Sequence, residues 1–505
     1  MLTVAQQHGF GNDVNILTMS VRHPDLRAIA RRAMLDRGFL VDFPPEAQAE
    51  LKKEAEPDFR TVKARDLTSW LWSSIDNDDS RDLDQIEYAV EESGGIRIYV
   101  GIAEVDWFVP AHSPIDLAAA HNTTSIYTGV RTFPMLPEQL STDLSSLNEG
   151  EKRLAIVAEM LVSRDGQITE PSLYAAVVEN KAQLAYNSVA AWLDQQADGK
   201  TPEKVERNRD LQNQLRLQDR AAACLRQRRH EAGALTFQTI ELQPVMSPEG
   251  TVVDLASKQH NRATLLIEDF MIAANQTTAA FLEQRGLPSI RRVVKIPERW
   301  DRIRALAAAL GGNLSPEPEA RSLEEFLKQQ QHSNPAHFPE LSLSVIKLLG
   351  RGEYMVKMPG GDAPGHFGLA VENYSHSTAP NRRYSDLLTQ RLLKAAFAGK
   401  NSPYSGDELR DLATRCTEKE NDANKVERQV KKCAAAAMLR PRLGQEFDAL
   451  VSGINASGMW VRLLHPPVEG KLIGEAKHLD IGHRVRVRLE SVNPERGFID
   501  FELLR

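Results

Sequence analysis

The 505-residue sequence predicts an α+β protein, and three features of its texture predict it. Strand-like runs dominate residues 75–162, helical patterns dominate residues 202–439, and beyond Pro441 short alternating strands are separated by glycine-bearing turns. No internal repeat or low-complexity tract interrupts this order.

Residues 1–24 have no periodicity and are expected to be partly disordered. Residues 26–51 read as two short helices broken by Pro44-Pro45. Strands are expected at Ile75, over 96–109 and over 154–162, the last closing at the Asp165-Gly166 turn. Residues 202–231 carry apolar positions at helical spacing without a breaker, so one long helix is expected there, ended by Gly233. A strand over 235–245 follows, then helices over 265–284 and 300–310, with Gly311-Gly312 as a stop. Residues 358–365 form a Pro/Gly loop before a helix over 384–398 and a long charged one over 407–439. After Pro441, strands over 447–451, 459–463, 485–489 and 498–501 fill about 65 residues, which suggests a small antiparallel barrel.

The bulk numbers bound the function. At 42% hydrophobic and 26% charged, the chain has an ordinary soluble globular composition, long enough for roughly three domains. It has no apolar run of membrane-span length and no signal-peptide pattern, so no membrane partner is expected. Cys224, Cys416 and Cys433 show neither zinc spacing nor a disulfide framework, which points to a reducing cytoplasm. A net charge of -7 argues mildly against nucleic-acid binding, since phosphate contacts need Lys and Arg. A basic channel can nonetheless coexist with an acidic exterior.

The most informative stretch is Ser-Ser-Ile-Asp-Asn-Asp-Asp-Ser-Arg-Asp-Leu-Asp-Gln, residues 73–85. Its aspartates are Asp76, Asp78, Asp79, Asp82 and Asp84. Crowded carboxylates repel and raise one another's pKa unless a cation neutralises them. Oxygen-only ligands of this kind suit hard divalent ions, Mg2+ first and Mn2+ second. A solvated acidic turn is the other reading of such a run, and the stretch alone leaves both open.

Two resemblances carry the argument further. Gly444, Phe447, Gly453, Gly458, Trp460, Val461, Glu469-Gly470, Gly482 and Ile499-Asp500-Phe501 resemble an S1-type RNA-binding domain, an OB-fold barrel, over residues 442–503. Such a module implies aromatics for base stacking, with Phe447, Trp460 and His478 as candidates. Arg484, Arg486 and Arg488 alternate, so they share one strand face within reach of a phosphate backbone. Phe447 and Trp460 filling the barrel is the alternative, and for Phe447 the two stay open.

Residues 25–398 resemble the ribonuclease II and ribonuclease R family, built on the RNB catalytic domain. The likeness rests on Ile75-Asp76 with Asp82 and Asp84, and on Ile102-Ala103-Glu104-Val105. It continues through Thr124-Ser125-Ile126-Tyr127, Pro134-Met135-Leu136-Pro137, Leu140-Ser141 and Ser146-Leu147-Asn148. Glu268, Met271 and Asn275 follow, then His366-Phe367-Gly368-Leu369 and the block from Tyr374 to Asp386. The resemblance implies a mixed sheet wrapped by helices and a processive 3′-to-5′ exoribonuclease. That enzyme hydrolyses single-stranded RNA to 5′-mononucleotides with Mg2+ (Mn2+ is the second choice) and leaves a short end product. Carried over by position, Asp76, Asp84 and Gln85 fall at the metal and Asp82 supports the cluster. Arg382 clamps the scissile phosphate, and Tyr127 packs on the terminal base. Glu268 and Arg383 are weaker substrate-binding candidates. For Glu268 a salt bridge to Arg262 is the plainer reading, and for Arg383 a surface salt bridge. Asp78 and Asp79 read as solvated.

Two departures matter. Gln85 stands where the family usually has a fourth aspartate. Strand alternation points Asp84 and Gln85 to opposite sides, so Asp84 cannot replace the missing ligand. The site is then weakened at that position, borrows a nearby carboxylate, or is inactive. Retention of Asp76, Asp82, Asp84, Arg382 and Tyr127 favours activity. An RNA-binding protein with a lapsed nuclease site is the alternative. Upstream, residues 1–60 are too few for the family's two cold-shock-type domains and are expected to be a helical lead-in, with a helix-turn-helix-like unit as one option. The expected division is 1–60 lead-in, 61–400 RNB catalytic domain, 401–440 closing helix and 441–505 S1-type barrel, in a monomer whose partner is single-stranded RNA.

Overall fold

The structure, a computed structural model, describes residues 24–195, 202–239, 241–247, 252–258, 260–455, 457–474, 479 and 482–504. The expectation of disorder before residue 24 therefore falls almost wholly outside the described residues.

Two lead-in helices come first, α1 (Leu26–Leu35) and α2 (Pro45–Leu51). Asp25 caps α1 by accepting from Ala28 N, and Pro45 opens α2, where its missing N–H costs nothing. Next are β1 (Arg65–Asp66), β2 (Trp72–Asp76), β3 (Gln85–Glu92), β4 (Gly95–Ala103), α3 (Pro114–Asn122), β5 (Ile126–Tyr127), β6 (Thr132–Phe133), β7 (Lys152–Val162) and β8 (Ile168–Ala185). Helices α4 (Tyr186–Leu193), α5 (Glu203–Glu206) and α6 (Arg209–Glu231) precede the hairpin of β9 (Glu241–Met246) and β10 (Val252–Lys258). Then come α7 (Arg262–Gln284), β11 (Ser289–Val293), α8 (Trp300–Ala309), α9 (Ala320–Ser333), α10 (Phe338–Leu349), β12 (Glu353–Lys357), α11 (Tyr384–Phe397) and α12 (Gly406–Leu439). Five strands close the chain: β13 (Glu446–Asn455), β14 (Gly458–Leu463), β15 (Glu469–Ile473), β16 (Arg484–Asn493) and β17 (Phe498–Leu503).

The body is built on a mixed sheet in the order β1-β8-β2-β3-β4-β7. β8 runs parallel to β1 and β2 but antiparallel to β7, so one long strand ties both sides of a strongly curled sheet together. Trp72, Ile75, Leu83, Ile86 and Ile98 are fully buried between this sheet and the helices packed on it. At about 25 cal/mol per Å2 of apolar area, burying each such side chain favours folding by about 2 kcal/mol. The ring of strands leaves the β2–β3 turn, where the aspartates lie, at one end of this core.

The C-terminal strands form a closed barrel, β13-β14-β15-β17-β16. Val451, Val461, Leu463, Val487, Leu489 and Phe501 fill it, and Ala436 and Leu439 of α12 pack against it. It is not wholly antiparallel, because β15 pairs β17 in parallel.

Several boundaries differ from expectation for local reasons. The strand expected over 96–109 ends at Ala103, where the chain turns and Phe108 N bonds to Val105 O. The helix expected over 202–231 is two, because Asn208 accepts from Leu211 N and starts a new helix. The strand expected over 235–245 begins only at Glu241. Leu235 N and Thr236 N instead bond to Gly368 O and to the Glu324 carboxylate.

Candidate active site

The site is assembled by the turn between β2 and β3. Asp76 ends β2, and its Oδ1 accepts from Asn77 N at 2.7 Å and Ser80 Oγ at 2.9 Å. Asp78 and Asp79 are exposed, as expected. Leu83 then plunges into the core and is fully buried. Its N–H donates to Ser146 Oγ and its carbonyl accepts from Leu147 N. The alternation Asp-Leu-Asp thus anchors the turn by its middle residue, leaving Asp82 part-exposed while Asp84 is buried.

Each of those carboxylates has a distinct partner. Asp82 Oδ2 accepts from the Tyr127 hydroxyl at 2.9 Å. Asp84 is 1% exposed, and its Oδ1 accepts from Asn381 N at 3.0 Å. Arg382 Nε lies 3.2 Å from Asp84 Oδ2, a charge–charge contact without hydrogen-bond geometry, so that oxygen is buried without a donor. Burial pushes the Asp84 carboxyl up to about 7, against the opposing pull of the Arg382 guanidinium and the Asn381 N–H. Arg382 keeps 46% of its side chain exposed, so it still reaches solvent.

The arginine and the tyrosine are brought there by strand-like contacts between distant segments. Ser125 N donates to Arg382 O at 3.0 Å, and Tyr384 N to Thr123 O at 2.8 Å. Ala379 N donates to Asp386 Oδ1, which pins the turn before α11. Tyr127 N donates to Glu427 of α12, and the residue remains 39% exposed. Burial, then the Asp82 charge, raises its hydroxyl pKa, so the hydroxyl stays a donor at neutral pH.

Gln85 opens β3 opposite Ile102 and is 3% exposed. Glu87, on the same face of the strand, is fully buried, and neither of its oxygens has a partner. Burial, with a smaller push from Asp76, holds its pKa well above the usual carboxylate range. Sequence reasoning missed Glu87, although a Glu inside the run Ile86-Glu87-Tyr88-Ala89-Val90 is an audible signal. It also missed Asn381, whose backbone donor serves Asp84.

Other expected residues are placed elsewhere. Arg383 is bound to Asp386 at 2.6 Å and to Thr378, so its fork is occupied within α11's first turn rather than offered to a substrate. Glu268 is exposed, and Arg262 pairs with Asp219 and Asp194 instead. The buried carboxylate of that helix is Asp269, held by Arg226 and Arg229. Asn275 accepts from Ser377 N at 2.8 Å and so braces the block containing Arg382.

In the barrel, Phe447 is 7% exposed and packs edge-on against Phe501, so it fills the core and has no face for a base. Trp460 is partly exposed on β14. Arg484 is exposed, Arg486 pairs with Glu446 at 3.0 Å, and Arg488 pairs with Glu502. Carboxylates thus already neutralise two of the three arginines. His478 lies outside the described residues.

The oxygen donors of the turn suit a divalent cation. Asp76, Asp84 and the Gln85 amide supply only oxygen, and the unpartnered Asp84 Oδ2 is buried. Among the described residues, however, no three His, Cys, Asp or Glu side chains form a ready cage. That arrangement fits Mg2+, which usually takes one or two carboxylates and completes its shell with water and phosphate oxygens.

Comparison with known proteins shows the family. The RNB domain matches residues 64–399, and the RNase II-type exonuclease C-terminal S1 domain matches residues 445–504. Ribonuclease R of Escherichia coli is 30% identical over 500 residues, covering 91% of this chain and 60% of the relative. The chain therefore spans about three fifths of that relative's length. Ribonuclease R of Aquifex aeolicus is 28% identical over 491 residues, covering 90% and 67%. Among solved structures, Mycoplasma genitalium RNase R in complex with ribose-methylated single-stranded RNA superposes with a TM-score of 0.85 at 23% identity, over 95% of this chain and 78% of that one. Yeast Ssd1, described as a pseudonuclease, superposes with a TM-score of 0.68 at 16% identity, over 92% and 58%. With the RNB domain over most of its length and an S1-type barrel beyond it, the chain belongs to the RNB family of RNase II-type proteins.

Proposed function

We propose that this chain is a processive 3′-to-5′ exoribonuclease that hydrolyses single-stranded RNA to 5′-mononucleotides. The observation that carries the reading is the joining of Asp82 to Tyr127 and of Asp84 to Arg382 on one acidic turn. A solvated acidic turn has no need of a half-exposed arginine and a half-exposed tyrosine fastened to it. Arg382 would meet the scissile phosphate and hold the charge that develops on its oxygens. Tyr127 offers its ring to the terminal base, with its hydroxyl fixed by Asp82. Asp76 and Asp84 would hold Mg2+ together with the residue 85 side chain. When bound, the ion supplies a Lewis acid and a water of lowered pKa. In this reading residues 61–400 carry the chemistry, residues 401–440 close the body, and the barrel at 441–505 grips the strand through Trp460 and Arg484.

Incubating end-labelled RNA with Mg2+, Mn2+ or chelator tests this. A ladder of mononucleotides that needs the metal and stops at a short oligonucleotide is the expected result. A second reading, an RNA-binding protein with a lapsed site, has Gln85 in its favour, since a neutral amide holds a cation less well than a carboxylate. No release by the natural chain, with release by Gln85→Asp, would decide for that second reading.

A further inference from the structure

Glu87 takes no part in the contacts that join the site. A carboxylate with no donor and no solvent is costly to bury unless a cation or a proton accompanies it. Its position is informative. Strand alternation puts Glu87 on the face of Gln85, two residues along β3 and roughly 6.7 Å away at the backbone. Across the ladder Glu87 faces Ser73, which is buried with it on the strand that carries Asp76. Ser73 Oγ and Gln218 Oε1 are buried and unpartnered too, and Gln218 Nε2 reaches the Glu87 carbonyl at 3.5 Å. Four of the ten unpartnered buried polar atoms among the described residues are therefore those of Glu87 and of two residues that meet it.

We propose that Glu87 supplies the carboxylate that Gln85 lacks, completing a divalent-cation site with Asp76 and the Gln85 amide oxygen. Glu is one methylene longer than Asp, which offsets part of the two-residue retreat along the strand. Two carboxylates and one amide satisfy Mg2+ or Mn2+ without a three-carboxylate cage. The proposal rests on reading Asp76 as part of a cation site.

Mn2+ binding to the full chain, without RNA, is read from the electron paramagnetic resonance of the free ion. Glu87→Gln keeps the shape and removes the charge, and should weaken binding by about 10- to 100-fold, the scale at which ligand support matters in metal sites. Adding Gln85→Asp to that variant should restore binding, because a carboxylate returns to the same face. Unchanged affinity in Glu87→Gln overturns the proposal, and so does a loss that Gln85→Asp does not restore. Should Glu87→Gln fail to fold, Glu87→Leu removes the unpartnered group outright and is read in the same way. Nucleotide release is scored separately. A natural chain that binds Mn2+ through Glu87 but releases nothing sinks the nuclease reading alone. One that degrades RNA while Glu87→Gln binds Mn2+ normally sinks only this proposal.

Discussion

Asp84→Asn should make the metal-free protein more stable while abolishing its activity. Asp84 is 1% exposed, and its carboxyl rises from the ordinary 3.8 to about 7 on folding, chiefly through burial. Such a rise corresponds to about 4 kcal/mol held against the folded state once the group is ionised in both states. The sign follows from proton uptake: the folded chain binds the proton more tightly, so stability is full below pH 3.8 and is lost as pH climbs through 7. An Asn side chain has no charge to desolvate. It still accepts from Asn381 N, and the half-exposed Arg382 can turn to water. The variant should therefore exceed the natural chain in apparent melting temperature at pH 8 in chelator, with the gap closing toward pH 4. The value of about 4 kcal/mol is already net of the attraction to Arg382, which pulls the carboxyl down. Mg2+ should raise the melting temperature of the natural chain and leave the variant unchanged, by mass action on the folded state. Parallel pH profiles for the two chains in chelator would refute the reasoning, because they would mean that Asp84 is not held in a desolvated state.

Arg382→Ala should lower kcat by about 10²- to 10³-fold, the usual cost of removing one donor to developing oxyanion charge, with RNA binding changed far less; an equal loss in both would count against a phosphate role. Tyr127→Phe removes a hydrogen bond to a carboxylate, worth about 1.5–3 kcal/mol, and frees the ring. Its end-product ladder should lengthen or blur, while Asp84 and Arg382 stay in place. Burial holds His366 down to about 4, and His376, against Tyr354, also well below its ordinary value. Both are held neutral, so the stability they permit is full above pH 6.5 and is lost as pH falls toward 4. For His366 this amounts to about 3 kcal/mol. A His366→Gln chain should show a flatter acid limb in thermal scans, and an unchanged limb would exclude His366 as the cause.

Much of the molecule was legible from residue order. The lead-in helices, the interrupted helical middle and the barrel follow from Pro, Gly and apolar spacing, which act over a few residues. The acidic turn was legible because five aspartates in nine positions have few uses. The long β8 was not, since 18 residues that pair with three different strands present no single alternation. Phe447 was ambiguous for a similar reason: an aromatic on a barrel strand faces core or solvent according to register, and the closed barrel turned it inward.

By itself, then, the sequence determined which chemical groups the protein owns: carboxylates in one turn, an arginine and a tyrosine far away, and a glutamine where an acid is expected. Only the tertiary structure decided which of them meet. Asp84 and Arg382 lie nearly 300 positions apart, and no local rule relates them until Ser125 and Arg382 share a backbone hydrogen bond. Their protonation was likewise undecidable from order, because burial, not residue type, lifts Asp84 and isolates Glu87. Desolvation belongs to the packed state, where the surroundings of a group come from the whole chain.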